Sequence, residues 1–122
     1  MIKVLLVEDD QLAQIITQYT LNQVEECNFD VTGYGEKAVD MCKENNYDLI
    51  LMDIGLDGDM NGYVASEKIK AEGKNVHTPI VIITANESEE IKASSLSEII
   101  SYFAVKPLTT ETVQTIFKNF IK

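Results

Sequence analysis

Residues 47–62 read YDLILMDIGLDGDMNG, and the apolar run LILM within them ends on Asp53. A short apolar run between polar residues is typical of a strand that is buried on both faces of a parallel sheet. After Asp53 the chain offers Asp57, Asp59 and three glycines, with no proline. The stretch therefore predicts a buried strand that ends on a carboxylate, followed by an acidic loop with a mobile backbone.

Short apolar segments alternate with helix-period segments along the rest of the chain. This alternation is typical of βα units, in which helices cover both faces of a parallel sheet. We expect an α/β fold with five strands, at residues 2–7, 29–33, 49–53, 80–84 and 102–105. The 45% hydrophobic content and the 122-residue length fit one domain over residues 1–122, without repeats or linkers.

Helices are predicted from apolar stripes and from capping residues. One face of the first helix carries Leu12, Ile15, Ile16 and Tyr19, and the last helix carries Val113, Ile116, Phe117, Phe120 and Ile121. Caps are expected at Asp10, Gly35 and Asn61, and a capping box at Asn86 with Glu89. The fourth of five predicted helices, residues 88–97, has few apolar positions, which is compatible with a short or mobile helix.

Charge and cysteine content exclude several classes of protein. Ten basic against twenty acidic residues give a net charge of −10, which would repel DNA, so we expect no direct nucleic-acid binding. Cys27 and Cys42 lie in no metal-ligand spacing. No apolar run approaches the roughly 18 residues of a membrane span, and the N-terminal apolar stretch is too short for a secretory signal. We therefore expect a cytoplasmic protein without membrane contact.

Polar residues stand at the carboxyl ends of four predicted strands: Glu8, Asp9 and Asp10 after the first, Asp53 on the third, Thr84 on the fourth, and Lys106 with Pro107 after the fifth. Ligands of parallel α/β sheets bind beyond these ends, where the strand order reverses. Each residue alone has an ordinary explanation as a helix cap, a turn or a solvated side chain. Their joint presence at one edge indicates a functional site.

Carboxylates that converge at one edge repel each other unless a cation neutralises them. Because all the candidate ligands are oxygens, Mg²⁺ fits best, at about 2.1 Å and with several waters retained. A lysine and a threonine hydroxyl nearby could contact three phosphoryl oxygens. The pattern therefore indicates phosphoryl transfer, with Asp53 as the nucleophile that forms an aspartyl phosphate.

Four motifs carry a resemblance to a known family along nearly the whole chain. VLLVEDD, LILMD, PIVIITA and VKP occur in the order and at about the spacing of the receiver domain of two-component response regulators. The resemblance implies a flavodoxin-like, doubly wound (βα)5 fold with strand order 2-1-3-4-5. It also implies that Asp53 is the phosphoacceptor and that Mg²⁺ is held by Asp53, Asp9, the Gly55 carbonyl and, through water, Glu8.

The remaining matched positions would respond to the phosphoryl group. Lys106 would pair with it, and the Lys106–Pro107 bond would be a cis peptide. Thr84 would move toward the phosphate while Phe103 turns inward, which would change the face made by the fourth helix, the fifth strand and the fifth helix.

The resemblance also implies the partners and the kind of activity. A histidine kinase or histidine phosphotransfer protein would dock on the first helix and donate the phosphoryl group, and a downstream protein target would read the switched face. The protein would be a signalling phosphoacceptor that catalyses only its own phosphorylation and dephosphorylation. MDIGL and HTPI resemble receivers of hybrid kinases and phosphorelays.

Three departures from the family pattern affect specific expectations. The Asp53–Gly62 spacing is one residue longer than the commonest pattern, and Asp57 stands where proline is frequent. SEII precedes the fifth strand in place of a small turn, and isoleucines exposed there would indicate a protein contact.

Gly55 and Asn86 occupy positions that influence phosphate lifetime in the family, and since neither is an acid we expect slow to moderate autodephosphorylation.

Three alternatives remain open at this point. A haloacid-dehalogenase-like phosphatase has its Asp nucleophile on the first strand, where this chain has Glu8. A flavodoxin-type flavin module needs a hydroxyl- and glycine-rich phosphate loop, where this chain has the acidic EDDQ. A receiver that signals without phosphorylation would not need the complete set of site residues.

Overall fold

Five parallel strands form the central sheet of the computed structural model, which describes residues 1–56, 58–85 and 98–121. The strands are β1 (Ile2–Val7), β2 (Cys27–Thr32), β3 (Leu49–Asp53), β4 (Ile80–Thr84) and β5 (Tyr102–Val105). Their order in the sheet is β2-β1-β3-β4-β5, and every neighbouring pair is parallel. This confirms the predicted α/β, flavodoxin-like arrangement.

The bounds of β2 differ from the predicted residues 29–33. The strand begins at Cys27 because Cys27 and Asn28 pair with Ile2 and Lys3 of β1, although the polar Asn28 interrupts the apolar pattern. It ends at Thr32, since Gly33 already belongs to the turn that passes the end of β1. The other four strands have the predicted bounds.

Four helices lie in the described residues: α1 (Gln11–Val24), α2 (Gly35–Glu44), α3 (Gly62–Ala71) and α4 (Thr110–Phe120), the last being the fifth helix of the sequence prediction. Asp10 and Asn61 cap α1 and α3 as predicted, by accepting the backbone N–H groups of Ala13 and Val64. The predicted cap of α2 was wrong, because Tyr34 is the N-cap and Gly35 is already helical. The predicted helix at 88–97, its capping box at Asn86 and Glu89, and Asp57 lie outside the described residues.

The helices cover both faces of the sheet. In β1 alternate side chains point to opposite sides, so Val4 and Leu6 pack toward α1 and α4 while Leu5 and Val7 pack toward α2 and α3. All five residues of β3 and of β4 are buried, as expected for central strands of a doubly covered sheet. The predicted stripe of α4 faces this core, with Val113, Ile116 and Phe117 buried.

The apolar stripe of α1 faces outward, unlike that of α4. Leu12, Ile15 and Tyr19 are 64%, 64% and 66% exposed. The helix instead buries Thr17, Thr20 and Leu21 against the sheet, and the Thr20 hydroxyl donates to the Ile16 carbonyl at 2.9 Å. A large apolar stripe with this orientation is available for contact with another molecule.

A buried asparagine holds together the loops at the amino ends of β3 and β4. The Asn75 amide donates to the carbonyls of Cys42 and Asn45, both at 2.7 Å. Its oxygen accepts the Tyr47 backbone N–H at 2.8 Å and the Thr78 hydroxyl at 3.0 Å. Because Asn75 is fully buried, these four bonds satisfy its whole side chain.

Two further sequence expectations concern surface and membrane contact. Exposed isoleucines in the SEII segment would indicate a protein contact, but Ile100 is buried and Ile99 is half-buried against the α2 and α3 side of the core. The segment therefore offers no isoleucine pair for a protein contact. Among the described residues, no helix combines the length and the apolar character that a membrane crossing requires.

Candidate functional site

The register of the sheet brings the acidic ends of β1 and β3 together. Val7 pairs with Met52, so Glu8 and Asp53 are the next residues along two adjacent strands. Glu8 is fully buried and Asp53 is only 7% exposed. The site therefore lies at the ends of β1 and β3, the two strands between which the strand order reverses, as predicted.

Three carboxylates form a cluster that could hold a metal ion. One oxygen from each of Glu8, Asp9 and Asp53 lies within 4.8 Å of the other two. The donor set consists only of oxygen atoms, which fits a hard divalent cation that keeps part of its water shell, such as Mg²⁺. Asp10 does not take part in the same way, because its side chain caps α1 by accepting the Ala13 N–H at 2.9 Å.

Lys106 supplies the positive charge that faces these acids. Its Nζ lies 2.9 Å from Asp53 Oδ2, and it also forms an ion pair with Glu8 Oε1. The pairing of Thr84 with Val105 places Lys106 just beyond the end of the sheet, where its backbone N–H donates to the Thr84 carbonyl at 2.7 Å. The Lys106–Pro107 peptide is cis, as predicted.

The electrostatics of the cluster favour the binding of an additional cation. Burial and the neighbouring Asp53 raise the pKa of Glu8 to about 7, although Lys106 and the Asp10 N–H oppose this shift. Burial alone would lower the pKa of Lys106, but its contacts with Glu8 and Asp53 outweigh burial and raise it. Lys106 therefore stays protonated at neutral pH. Its single positive charge does not fully balance the negative charge of two buried carboxylates.

Thr84 and Phe103 lie on one face of the sheet. Ile82 pairs with Phe103 and Thr84 pairs with Val105, so strand alternation directs Thr84 and Phe103 toward the α2 and α3 side. Thr84 is buried and Phe103 is half-buried. Thr84 ends β4, the strand whose Ile83 pairs with Asp53, and Phe103 lies on β5, one strand further along the sheet.

The loop after Asp53 is tied to the strand end by backbone contacts. The Gly55 N–H donates to Asp53 Oδ1 at 3.2 Å, and the Gly62 N–H donates to the Ile54 carbonyl at 3.1 Å. A Cβ on Gly62 would overlap the Asp53 carbonyl, whereas a Cβ on Gly55 would have no atom within 4 Å. The first turn of α3 therefore packs directly on the backbone of Asp53, and only glycine fits there.

Two residues near the acids were missed by the reasoning from sequence. The Gln14 side chain donates to the Glu8 carbonyl at 2.6 Å. Gly33 approaches the Asp9 backbone so closely that a Cβ would lie 3.2 Å from the Asp9 Cα. A glycine at the end of a predicted strand is a usable signal for such an approach, whereas a glutamine near the start of a helix carries none.

Comparisons with known proteins agree with this geometry. The sequence profile described as the response regulator receiver domain matches residues 4–118. A solved structure of the receiver domain of a sensor histidine kinase from Pseudomonas aeruginosa, which has a magnesium ion coordinated in its active site cleft, superposes with a TM-score of 0.85. It is 28% identical, and the match covers 98% of this chain and 96% of that one.

Characterised relatives include receivers within much longer proteins. The autoinducer 1 sensor kinase/phosphatase LuxN of Vibrio campbellii is 32% identical over 118 residues, which are 97% of this chain and 13% of that protein. Two-component response regulator 24 of Arabidopsis thaliana is 34% identical over 113 residues, which are 92% of this chain and 78% of that protein. This chain belongs to the response regulator receiver domain family.

Proposed function

We propose that this chain is a phosphoacceptor that takes a phosphoryl group from a histidine kinase or a histidine phosphotransfer protein onto Asp53, with Mg²⁺ bound beside it. The observation that supports this most strongly is the cluster of Glu8, Asp9 and Asp53 oxygens within 4.8 Å, with Lys106 against two of the three acids. Receiver domains are signalling phosphoacceptors, which supports the same assignment. We also propose that residues 1–122 form one receiver domain.

In this proposal the metal is held by the side chains of Asp9 and Asp53, by the Gly55 carbonyl and, through water, by Glu8. When bound, Mg²⁺ supplies positive charge to the crowded carboxylates and to the phosphoryl oxygens. The magnesium in the receiver of the Pseudomonas aeruginosa kinase supports this choice of ion. The residues of this chain fit it because every candidate donor is an oxygen.

The chemical step is a displacement at phosphorus. An Asp53 carboxylate oxygen attacks the phosphoryl group of a phosphohistidine in line, the P–N bond breaks, and the imidazole leaves with the bonding electron pair. Lys106 exchanges part of its contact with Glu8 and Asp53 for the incoming phosphoryl oxygens. The product is an aspartyl phosphate and a histidine that is free of the phosphoryl group.

The partner that donates the phosphoryl group docks on the outward stripe of α1. Leu12, Ile15 and Tyr19 are exposed on this helix, and its N-terminus follows Glu8 and Asp9 directly. A cavity of about 120 Å³ between this helix and Pro107 and Leu108 continues the apolar surface toward Lys106. An apolar helix face beside the phosphoacceptor suits a helical partner that presents a phosphohistidine.

The phosphoryl group then changes the output surface. Thr84 moves toward the new negative charge, and Phe103, on the same face of the sheet, turns inward. The surface made by the predicted helix at 88–97, by β5 and by α4 changes with it and is read by a downstream protein. Since Gly55 and Asn86 carry no acid that could orient an attacking water, autodephosphorylation is slow to moderate.

Intact-mass analysis with acetyl phosphate tests the proposal. The native chain should gain one phosphoryl group when Mg²⁺ is present and none when the metal is chelated. Asp53→Asn, which keeps the size of the side chain, should gain none in either condition. Phosphoryl addition to the variant, or addition that needs no divalent ion, would contradict the assignment. An exposed control such as Asp40→Asn should behave like the native chain.

A further inference from the structure

Gln14, in the first turns of α1, reaches back over the loop that joins β1 to α1. Its side-chain Nε2 donates a hydrogen bond of 2.6 Å to the Glu8 carbonyl. We propose that Gln14 is a positioning residue for the Mg²⁺ site, a role that rests on the function proposed above. Gln14 itself lies outside the carboxylate cluster and is uncharged, so it acts on the metal only through the backbone of the acids.

The carbonyl that Gln14 contacts belongs to the peptide unit between Glu8 and Asp9. Because a peptide unit is planar, a hydrogen bond to its carbonyl restrains the plane that also contains the Cα atoms of both acids. The Glu8 N–H donates to the Thr32 carbonyl at 2.9 Å, which holds the preceding peptide to β2. Beyond that point β1 has ended, and the Gln14 amide supplies the donor that the sheet no longer provides.

The same peptide unit is confined from the other side by Gly33. A Cβ on Gly33 would lie 3.2 Å from the Asp9 Cα and 3.6 Å from the Glu8 carbonyl oxygen. The Asp10 N–H also donates to Glu8 Oε2 at 3.2 Å. The two acids are therefore held between the backbone of the loop at Gly33 and the side chain of Gln14. A substitution of Gln14 removes one of these contacts and leaves both acidic side chains in place.

Groups that orient the ligands of a metal commonly change its affinity by about 10- to 100-fold when they are removed. Without the Gln14 donor, the Glu8–Asp9 peptide can rotate, and the two carboxylates must be ordered again each time a metal binds. Metal affinity should therefore fall, while the reaction at saturating Mg²⁺ should proceed as before, because Asp53 and Lys106 have not moved.

The experiment compares Gln14→Met with Gln18→Met. Methionine is close to glutamine in size but donates no hydrogen bond. Gln18 is a matched control because it is also half-buried, lies one turn further along α1, and donates its amide to a backbone carbonyl, that of Gln14. Calorimetric titration with Mg²⁺ should give a Kd about tenfold higher for Gln14→Met than for the native chain. Gln18→Met should keep the native Kd, and both variants should reach the native phosphorylation rate with acetyl phosphate at saturating Mg²⁺.

A second variant distinguishes loss of the hydrogen-bond donor from two other effects on Mg²⁺ binding, a change of charge and general damage to the helix. In Gln14→Glu an added negative charge near the site would by itself attract Mg²⁺, whereas loss of the donor weakens its binding. We expect weaker binding. An unchanged or lower Kd in both Gln14 variants, or an equal increase in Gln18→Met, would overturn the role of Gln14 and leave the proposed function intact. A native chain that binds no Mg²⁺ would instead contradict the proposed function itself.

Discussion

Lys106 Nζ lies 2.9 Å from Asp53 Oδ2, although the strands that carry the two residues are not neighbours in the sheet. The lysine reaches past the end of β4 to contact the acid at the end of β3, and it pairs at the same time with Glu8, which directly follows β1. One cation therefore links the carboxyl ends of three strands. Its position beside the nucleophilic acid is the feature that the first prediction tests.

Replacement of this lysine should impair the transfer step more than metal binding. In Lys106→Met no cation other than the metal faces the phosphoryl oxygens, and we expect the phosphorylation rate at saturating Mg²⁺ to fall by about 100-fold. The Mg²⁺ affinity should be equal or higher, because the lysine no longer competes for Glu8 and Asp53. Calorimetric titration and acetyl phosphate kinetics measure the two effects, and a variant with the native rate would contradict the role of Lys106.

The raised pKa of Glu8 predicts a pH dependence of stability. The folded-state pKa is about 7 against an ordinary value of 4.5, so between these values the folded protein holds more protons at this group than the unfolded chain. The stability that the proton provides is therefore lost as pH rises through this window. Without Mg²⁺, the stability of the native chain relative to Glu8→Gln should fall between pH 5 and pH 8.

Mg²⁺ should reverse this loss in the native chain, because the metal binds the deprotonated acid. Urea denaturation of both proteins at the two pH values, with and without Mg²⁺, measures the effect. A difference in stability between the native chain and Glu8→Gln that is the same at both pH values would contradict it.

Much of the fold could be predicted from sequence, because its signals are local. The apolar runs of β1, β3 and β4 identify strands without any knowledge of their neighbours. The bounds of β2 could not be found in this way, since Cys27 and Asn28 belong to the strand only because β1 lies beside them. The same limit applies to α1, whose apolar stripe suggests a core-facing side although its threonines face the sheet.

The candidate site was predicted from residues that follow strands, because the topology of parallel sheets brings their carboxyl ends to one edge. Glu8, Asp9, Asp53 and Lys106 are brought together as expected. Gln14 was not found, since a helix residue that bends back to a strand-end carbonyl leaves no periodic signal. Contacts that a single polar side chain makes with another part of the fold can be identified only from the structure.

The close packing of α3 on the phosphoacceptor strand predicts different effects for two glycines of one loop. Gly62→Ala would place a Cβ onto the Asp53 carbonyl, and we expect a loss of about 1–3 kcal/mol in the free energy of unfolding together with slower phosphorylation. Gly55→Ala meets no atom within 4 Å and should keep the native stability. Equal stability of the two variants in urea denaturation would contradict this account of Gly62.

A substitution in the outward stripe of α1 should weaken binding of the phosphoryl donor protein and leave the phosphorylation reaction itself unchanged. Ile15→Glu places a charge on the proposed docking surface, and because Ile15 is 64% exposed the fold should tolerate it. Phosphorylation by a phosphotransfer protein should slow through a higher KM, while acetyl phosphate, which needs no docking, should react at the native rate. Val76→Glu, at an exposed apolar residue in the turn before β4, is the control. The docking surface would be wrong if both variants kept the native KM.

The Asn75 network predicts a loss of stability without a loss of function. In Asn75→Ala four hydrogen bonds of a fully buried side chain are lost, and we expect the free energy of unfolding to fall by about 3 kcal/mol. The affinity for Mg²⁺ should not change, because Asn75 lies at the opposite end of the strands. Asn46→Ala, at an exposed position close by, should leave both quantities unchanged. A weaker Mg²⁺ affinity in Asn75→Ala would show that the two ends of the sheet are coupled.

The central claim is that the Asp53 carboxylate accepts the phosphoryl group. Chemical identification of the phosphorylated residue tests this claim most directly. Borohydride reduces an aspartyl phosphate to homoserine, which marks the modified residue permanently. After phosphorylation with Mg²⁺, borohydride treatment and proteolysis, mass spectrometry of the peptides should find homoserine at position 53. Homoserine at Asp9 or Asp10, or phosphate retained on a serine or threonine, would contradict the account.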